Sequence, residues 1–278
     1  MTWLIVIIGI LIVLFVVLLY FVAPGKMTPE VRKMAKVFKG LNCAHRGLHT
    51  EDQKIPENSI QSFVAARNKN YGLEIDVQLS KDGKVVVFHD DDLKRACGID
   101  ARVDSKDWSE LSQIKLFESD ECIPLLTDTL EAIGDAPVIV ELKSAGTNNE
   151  KLCEETLKIL RAQGKNYCIE SFDPRVGAWF KKNAPDVLRG QLSTSPRRFK
   201  GVSRIAALLL GNLVINFMSR PHFIAYSNSP RAPIARLSYL FKPMKVTWTI
   251  LPGHDIKKLE DQNDAIIFEY YEPAPRFK

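Results

Sequence analysis

The chain has 278 residues and a net charge of +5, from 38 basic and 33 acidic side chains, with 46% hydrophobic and 26% charged residues. That apolar content excludes a disordered chain, and 15 glycines and 15 prolines are too few for a collagen-like or low-complexity one. The basic excess is mild and forms no dense stripe, so no nucleic-acid partner is expected.

The first 25 positions contain no charged residue, and 4–23 are apolar apart from Gly9 and Tyr20. A helix of that length spans about 30 Å, the thickness of a bilayer core. Trp3 and Tyr20 sit near its ends, where amphipathic rings prefer the interface. A cleaved signal peptide would carry a basic start and a shorter apolar run, so residues 1–25 read as an uncleaved transmembrane anchor. Lys26, Arg32, Lys33, Lys36 and Lys39 follow it against one acid, Glu30. By the positive-inside rule the remaining chain is expected in the cytoplasm, at the cell membrane. Residues 26–40 read as a basic juxtamembrane linker able to rest on anionic lipid.

Residues 41–278 read as one catalytic domain. Strands are expected at 41–45, 72–78, 84–89, 137–142, 166–171, 187–192, 222–226, 245–250 and 264–268. Helical patterns fall at 58–70, 127–134, 149–163, 174–183 and 230–241. This alternation predicts an α/β fold with a parallel sheet. About eight units in this length suit a (β/α)8 TIM barrel better than an open doubly wound sheet. An apolar insertion at about 196–220 breaks the pattern. Its core, 205–217, is too short to span a bilayer and is flanked by Arg197, Arg198, Lys200, Arg204 and Arg220. It is either a buried barrel helix or an interfacial helix beside the active-site mouth. Five cysteines, Cys43, Cys97, Cys122, Cys153 and Cys168, have no CxxC spacing, which argues against a disulfide framework or a zinc site.

Polar residues at strand ends carry the chemistry expected of such a barrel. His45 and Arg46 end the first strand; a proton carrier stands beside an anion fork. Glu74 and Asp76, two apart on one strand, share a face and need a cation or a shared proton between them. His89-Asp90 follows the tight turn Lys81-Asp82-Gly83 and an apolar strand. Glu141 and Lys143 again share a face, as a third carboxylate and a point charge for phosphate, or as a buried ion pair. Hard carboxylate donors suit one divalent cation, Mg2+ or Ca2+.

Together the strings AHRGL, PENSIQSF, GLEIDVQLSKDGKVVVFHDDDLKR, IPLLTDTLE, VIVELK, ESFDP and VTWT resemble the glycerophosphodiester phosphodiesterase family over residues 41–268. The resemblance implies a (β/α)8 barrel, with His45 and His89 as catalytic histidines. It implies Glu74, Asp76 and Glu141 as metal ligands, and Arg46 and Lys143 at the phosphate. Asn58 would help build the site, and Ser171, Phe172 and Trp248 would line the pocket. The implied substrate is a glycerophosphodiester, cleaved to glycerol 3-phosphate and an alcohol. A lysophospholipid substrate is the alternative, and a catalytically silent head-group-binding protein is a further one. The chain departs from the family pattern at Leu251, at Phe268-Glu269-Tyr270-Tyr271 and in the somewhat long loop 48–56. These departures are expected to bear on pocket shape and not on the histidines or the metal ligands.

Overall fold

Period-two alternation builds the sheet. In β1 (Leu41–His45), Leu41 and Cys43 point into the barrel below His45. In β2 (Gly72–Leu79), Leu73, Ile75 and Val77 pack outward against helices, so Glu74 and Asp76 take the other face. The computed structural model describes residues 2–144, 146–163 and 166–277. It adds β3 (Val85–Val87), β4 (Val138–Leu142), β5 (Tyr167–Ser171), β6 (Arg189–Ser193), β7 (Phe223–Ser227), β8 (Met244–Ile250) and β9 (Ala265–Phe268). The strands run in the order β1, β2, β4, β5, β6, β7, β8, β9, every neighbouring pair parallel, and β9 closes on β1.

The ninth strand, β3, stands outside this ring. It pairs antiparallel with β2 through the Lys81-Asp82-Gly83 turn, where Gly83 adopts φ +81°, a conformation that favours glycine. Beyond it, Val86, Phe88, Leu93, Val103, Leu111 and Leu116 form a satellite core of their own. The outer helices begin at or near their expected places: α3 spans Ile60–Asn68, and others span Leu126–Ile133, Asn149–Gln163 and Pro174–Asn183. The pattern over 230–241 yields only a short helix, Ala235–Ser238, and a 3-10 turn, Tyr239–Phe241. Pro230 and Pro233 remove backbone donors at its start and disfavour helix just before them.

The barrel interior is apolar at its floor and charged at its top. Cys43 precedes His45, Ile139 precedes Glu141, Cys168 precedes Glu170, and Ile267 precedes Glu269, each two residues apart on one face. The second helix, α2 (Pro29–Phe38), closes the floor. Its stripe Val31, Met34, Ala35 and Phe38 joins the inner cluster, while Arg32, Lys33 and Lys36 stay exposed. Residues 29–38 are thus packed against the barrel and are not a free tether. Pro29 at the helix start and the Thr28 side chain, which accepts the Val31 amide at 3.3 Å, fix where α2 begins.

The first helix, α1 (Thr2–Val22), is long and apolar enough to cross a bilayer and is almost wholly exposed; only its last turns meet the barrel. The apolar stretch 205–217 does not form one helix. It divides into Arg204–Gly211 and a turn, Asn216–Ser219. All five cysteines are free thiols.

Candidate active site

Glu74, Asp76 and Glu141 are buried, and each offers a carboxylate oxygen within 4.8 Å of the others. The register that sets Asp76 opposite Glu141 brings two strands' acids together. Lys143 Nζ lies 3.0 Å from Asp76 Oδ1 and 2.8 Å from Glu141 Oε1, and Arg46 Nε lies 3.3 Å from Asp76 Oδ2. Burial, then repulsion from Asp76, Glu141 and Glu170, pushes the Glu74 carboxyl well above its ordinary range. Burial also raises Glu141. Asp76 goes the other way: burial opposes its charge, but Lys143, His89 and Arg46 outweigh that and hold it low. Two fixed cations therefore leave this acidic group short of positive charge, the more so because buried Glu170 lies close enough to raise Glu74. Three converging hard oxygen donors with unbalanced charge fit a divalent cation.

Each histidine has a carboxylate behind it. His89 Nδ1 lies 2.5 Å from Asp90 Oδ1, which fixes Nδ1 as the protonated nitrogen and leaves Nε2 for another partner. His45 Nδ1 lies 3.3 Å from Glu269 Oε1, and the same oxygen lies 3.0 Å from His49 Nε2. Burial and the Arg46 charge lower the His45 pKa, against the opposing pull of Glu269. Glu269 is held below its usual range: burial opposes this, but His45 and His49 prevail.

The loops between these groups are rigid for visible reasons. Gly47 takes φ +81° under α3, where a Cβ would lie 2.3 Å from Ser62 Oγ, so no side chain fits. Ser59 caps α3, accepting the Ser62 amide at 3.1 Å while Ser62 Oγ accepts the Ser59 amide at 3.3 Å. That box holds Asn58, whose Nδ2 donates to Asp76 Oδ2 at 2.8 Å and whose amide donates to Arg46 O at 2.9 Å. Glu57 accepts from Arg46 at 2.8 Å and from Arg95 at 2.6 Å, and Arg95 also reaches Asp90 at 2.6 Å. A single chain of ion pairs thus runs from Asp76 through Arg46, Glu57, Arg95 and Asp90 to His89.

The structure brings His45, His89, Arg46, Lys143, Glu74, Asp76, Glu141 and Asn58 into this one cluster. Phe172 and Trp248 lie beside it on the wall of a groove of about 800 Å³ that also includes His89. The Ser171 hydroxyl is occupied: it donates to Leu142 O at 2.8 Å and accepts the Asp173 amide at 3.1 Å, tying the ends of β4 and β5 together. Sequence reasoning missed Arg95, His49, Glu170 and Glu269 as parts of the site, and gave no role to Glu57 and Asp90 beside Asn58 and His89. Its expectation that the departures after β9 and in loop 48–56 spare the histidines does not hold. Glu269 and His49 come from those two segments, and Glu269 touches His45. Glu57 and Asp90 each adjoin a residue already singled out, which was the available signal.

Residues 45–205 match the glycerophosphoryl diester phosphodiesterase family. The chain is 33% identical over 168 residues to a glycerophosphodiester phosphodiesterase of Caldanaerobacter subterraneus subsp. tengcongensis, covering 55% of this chain and 67% of that one. It is 33% identical over 103 residues to a probable glycerophosphodiester phosphodiesterase of Mycobacterium tuberculosis, covering 37% and 38%. A human lysophospholipase D is 27% identical over 143 residues, covering 47% and 44%. The match thus spans less than half the length of the latter two relatives. A phosphodiesterase of Oleispira antarctica, solved with its product sn-glycerol-3-phosphate, shares the fold with a TM-score of 0.69 at 24% identity, covering 85% and 95%. A glycerophosphodiester phosphodiesterase of Thermotoga maritima superposes with a TM-score of 0.63 at 25% identity, covering 82% and 93%. With its barrel, its acidic cluster and this match over more than half its length, the chain belongs to the glycerophosphoryl diester phosphodiesterase family.

Proposed function

We propose that this protein hydrolyses glycerophosphodiesters to glycerol 3-phosphate and an alcohol, with a divalent cation and two histidines. The observation that carries the reading is the pairing of each histidine with a carboxylate beside a buried triad of acids. The product in the Oleispira relative is of the same chemical class. A divalent ion, Mg2+ or Ca2+, held by Glu74, Asp76 and Glu141 would offset charge on a non-bridging phosphate oxygen.

The chain's own residues do the rest. Arg46 and Lys143 present fixed positive charge to the phosphate. His45, deep beside Glu269, takes a proton from the attacking water, whose oxygen becomes part of the glycerol 3-phosphate. His89, on the wall of the open groove, faces the leaving alcohol and returns a proton to it. One phosphorus–oxygen bond forms, the bond to the alcohol breaks, and the proton balance closes through the two imidazoles. Asn58 keeps Asp76 oriented, and Phe172 and Trp248 exclude water from one side.

We read α1 as a single-pass anchor and the basic residues after it as placing the barrel on the cytoplasmic face. The closing of the barrel floor by α2 supports an anchor joined directly to the catalytic domain.

The test is choline release from glycerophosphocholine by the detergent-solubilised full-length protein, with Mg2+, Ca2+ or EDTA. Release that both EDTA and His45→Ala abolish is the expected result. Release that survives His45→Ala would remove the histidine pair from the chemistry. Silence with glycerophosphocholine, glycerophosphoethanolamine and glycerophosphoinositol alike would leave a head-group-binding protein.

A further inference from the structure

Residues 187–254 contain no aspartate or glutamate but ten lysines and arginines, in a chain whose net charge is only +5. The rest of the chain is therefore net acidic, and 33 acids spread evenly over 278 residues would place several here. The stretch builds one sector of the barrel, β6 to β8 with the outer segments between them. Six of its cations, Arg197, Arg198, Lys200, Arg204, Arg236 and Lys242, are exposed, and among the described residues none of the six pairs with a carboxylate.

Apart from Tyr270, every exposed large apolar side chain outside α1 among the described residues also falls in this stretch. Leu251 aside, they form two groups. The first is Val202 with the helix Arg204–Gly211, whose Ala207 is buried while Ile205, Leu208 and Leu209 point outward, Ile205 being 72% exposed. Positions i, i+3 and i+4 make that outward stripe continuous. The second is Leu240 and Phe241, 65% and 46% exposed, in the 3-10 turn Tyr239–Phe241. Exposed apolar groups that gather on one side of a molecule, bordered by charge, mark a contact surface.

What this surface meets is indicated by the helix it adjoins. Residues 216–220, which follow the first group, grip the base of α1. Asn216 Nδ2 donates to Val22 O at 2.9 Å, and Arg220 donates to Tyr20 O at 2.8 Å and Ala23 O at 2.9 Å. The Arg220 guanidinium also lies 4.4 Å from the centre of the Tyr20 ring, and Phe217 meets Phe21 edge to face at 4.9 Å. The helix Ala235–Ser238, which leads into Leu240 and Phe241, also lies against α1. Asn212 Oδ1 accepts the Ile234 amide at 3.2 Å and ties the two segments together. A helix long enough to span a bilayer thus leaves the barrel beside both apolar groups.

We propose that this acid-free sector is the face by which the barrel docks on the anionic surface of the bilayer that α1 enters. The inference rests on the reading of α1 as an anchor. The exposed cations meet lipid head groups, and Ile205, Leu208, Leu209, Leu240 and Phe241 enter the boundary between head groups and acyl chains. A carboxylate in this sector would be repelled by the same surface, which accounts for the run without acids. The anchor keeps the face at the membrane, so contacts too weak to recruit a free protein suffice to hold it there. Docking then fixes one orientation of the barrel on the bilayer.

The test uses full-length protein in vesicles, with a photoreactive benzophenone side chain at Ile205, at Phe241, at Leu11 within α1, or at exposed Glu118 outside the sector. Mass spectrometry reads the lipid adducts. Expected are adducts from Leu11, Ile205 and Phe241 and none from Glu118. Phosphatidylserine at about 30% of the lipid raises the Phe241 yield at least about threefold over phosphatidylcholine alone. Each cation near an anionic surface shifts such an equilibrium by about fivefold. Arg236→Ser combined with Lys242→Ser therefore returns the Phe241 yield to its level in phosphatidylcholine, while the Leu11 yield stays. Adducts at Leu11 with none at Ile205 and Phe241 would overturn the docking face alone. A Phe241 yield indifferent to phosphatidylserine would overturn its preference for an anionic surface. Crosslinks from Phe241 to a second copy of the chain, in place of lipid, would overturn the face and make it a contact between copies. No lipid adduct at Leu11 would instead overturn the anchor reading beneath it.

Discussion

Glu269 shows how a single carboxylate can organise a site from outside it. Its Oε1 lies between His45 and His49, at 3.3 and 3.0 Å, so it sets a negative charge behind the His45 ring, away from the metal-binding acids. Glu269→Gln keeps the shape and removes the charge. Expected is a fall in kcat of about 10–100-fold, the usual cost of losing such a supporting partner, with KM little changed. Steady-state kinetics against pH measure it. An equal rise in KM would mean that Glu269 acts on binding instead. Asn58, which donates to Asp76, and Gly47, which leaves room for Ser62, likewise act across the fold, on β2 and on α3.

At the scale of elements, the junction of α1 with the barrel is specific. A helix leaves its last carbonyls unsatisfied, and here Asn216 and Arg220 take those of Tyr20, Val22 and Ala23. Arg220 itself adopts φ +43°, held there as the turn closes. A cation at a helix C-terminus contributes about 0.3–1 kcal/mol, more when partly buried. Arg220→Ala is expected to cost about 1 kcal/mol in this way and to loosen the 23–28 connection. Faster trypsin cleavage after Lys26, with the barrel core intact, is the readout; unchanged cleavage would mean that α2 alone holds the junction. The strands and most helices were legible from apolar periodicity. The floor role of α2 was not, because its apolar stripe finds its partner only once β1, β7, β8 and β9 have closed.

For the whole molecule, stability depends on pH through a group far from the chemistry. His222 is buried where β7 begins, beside Arg189, and burial followed by the Arg189 charge lowers its pKa to about 3. Unfolded, it titrates near 6.5. Between these values the unfolded chain binds the extra proton, so stability is full above pH 6.5 and declines as pH falls toward 3. At pH 5 the loss from this residue is about 2 kcal/mol. Melting temperatures of the solubilised protein at pH 7 and pH 5 measure it, and His222→Gln should flatten the difference. An unaltered slope in that variant would assign acid sensitivity elsewhere.

The order of strands and helices and the strand-end places of His45, Arg46, Glu74, Asp76, His89, Glu141 and Lys143 are legible in the sequence, whereas Asn58 came only with the family resemblance. The reason is local: period two places Glu74 with Asp76 and Glu141 with Lys143 on one face whatever the rest of the chain does. Which residues serve that site from a distance was decided by barrel closure. Glu269 meets His45 because β9 pairs with β1, and Glu57 meets Arg95 across a loop and a satellite core. The groove beside His89 is likewise tertiary. Phe172, Phe199, Val202, Leu210 and Trp248 follow three different strands or sit on their ends, and none signals a groove by itself. Local alternation sets which way a side chain points; only the closed barrel sets what it meets.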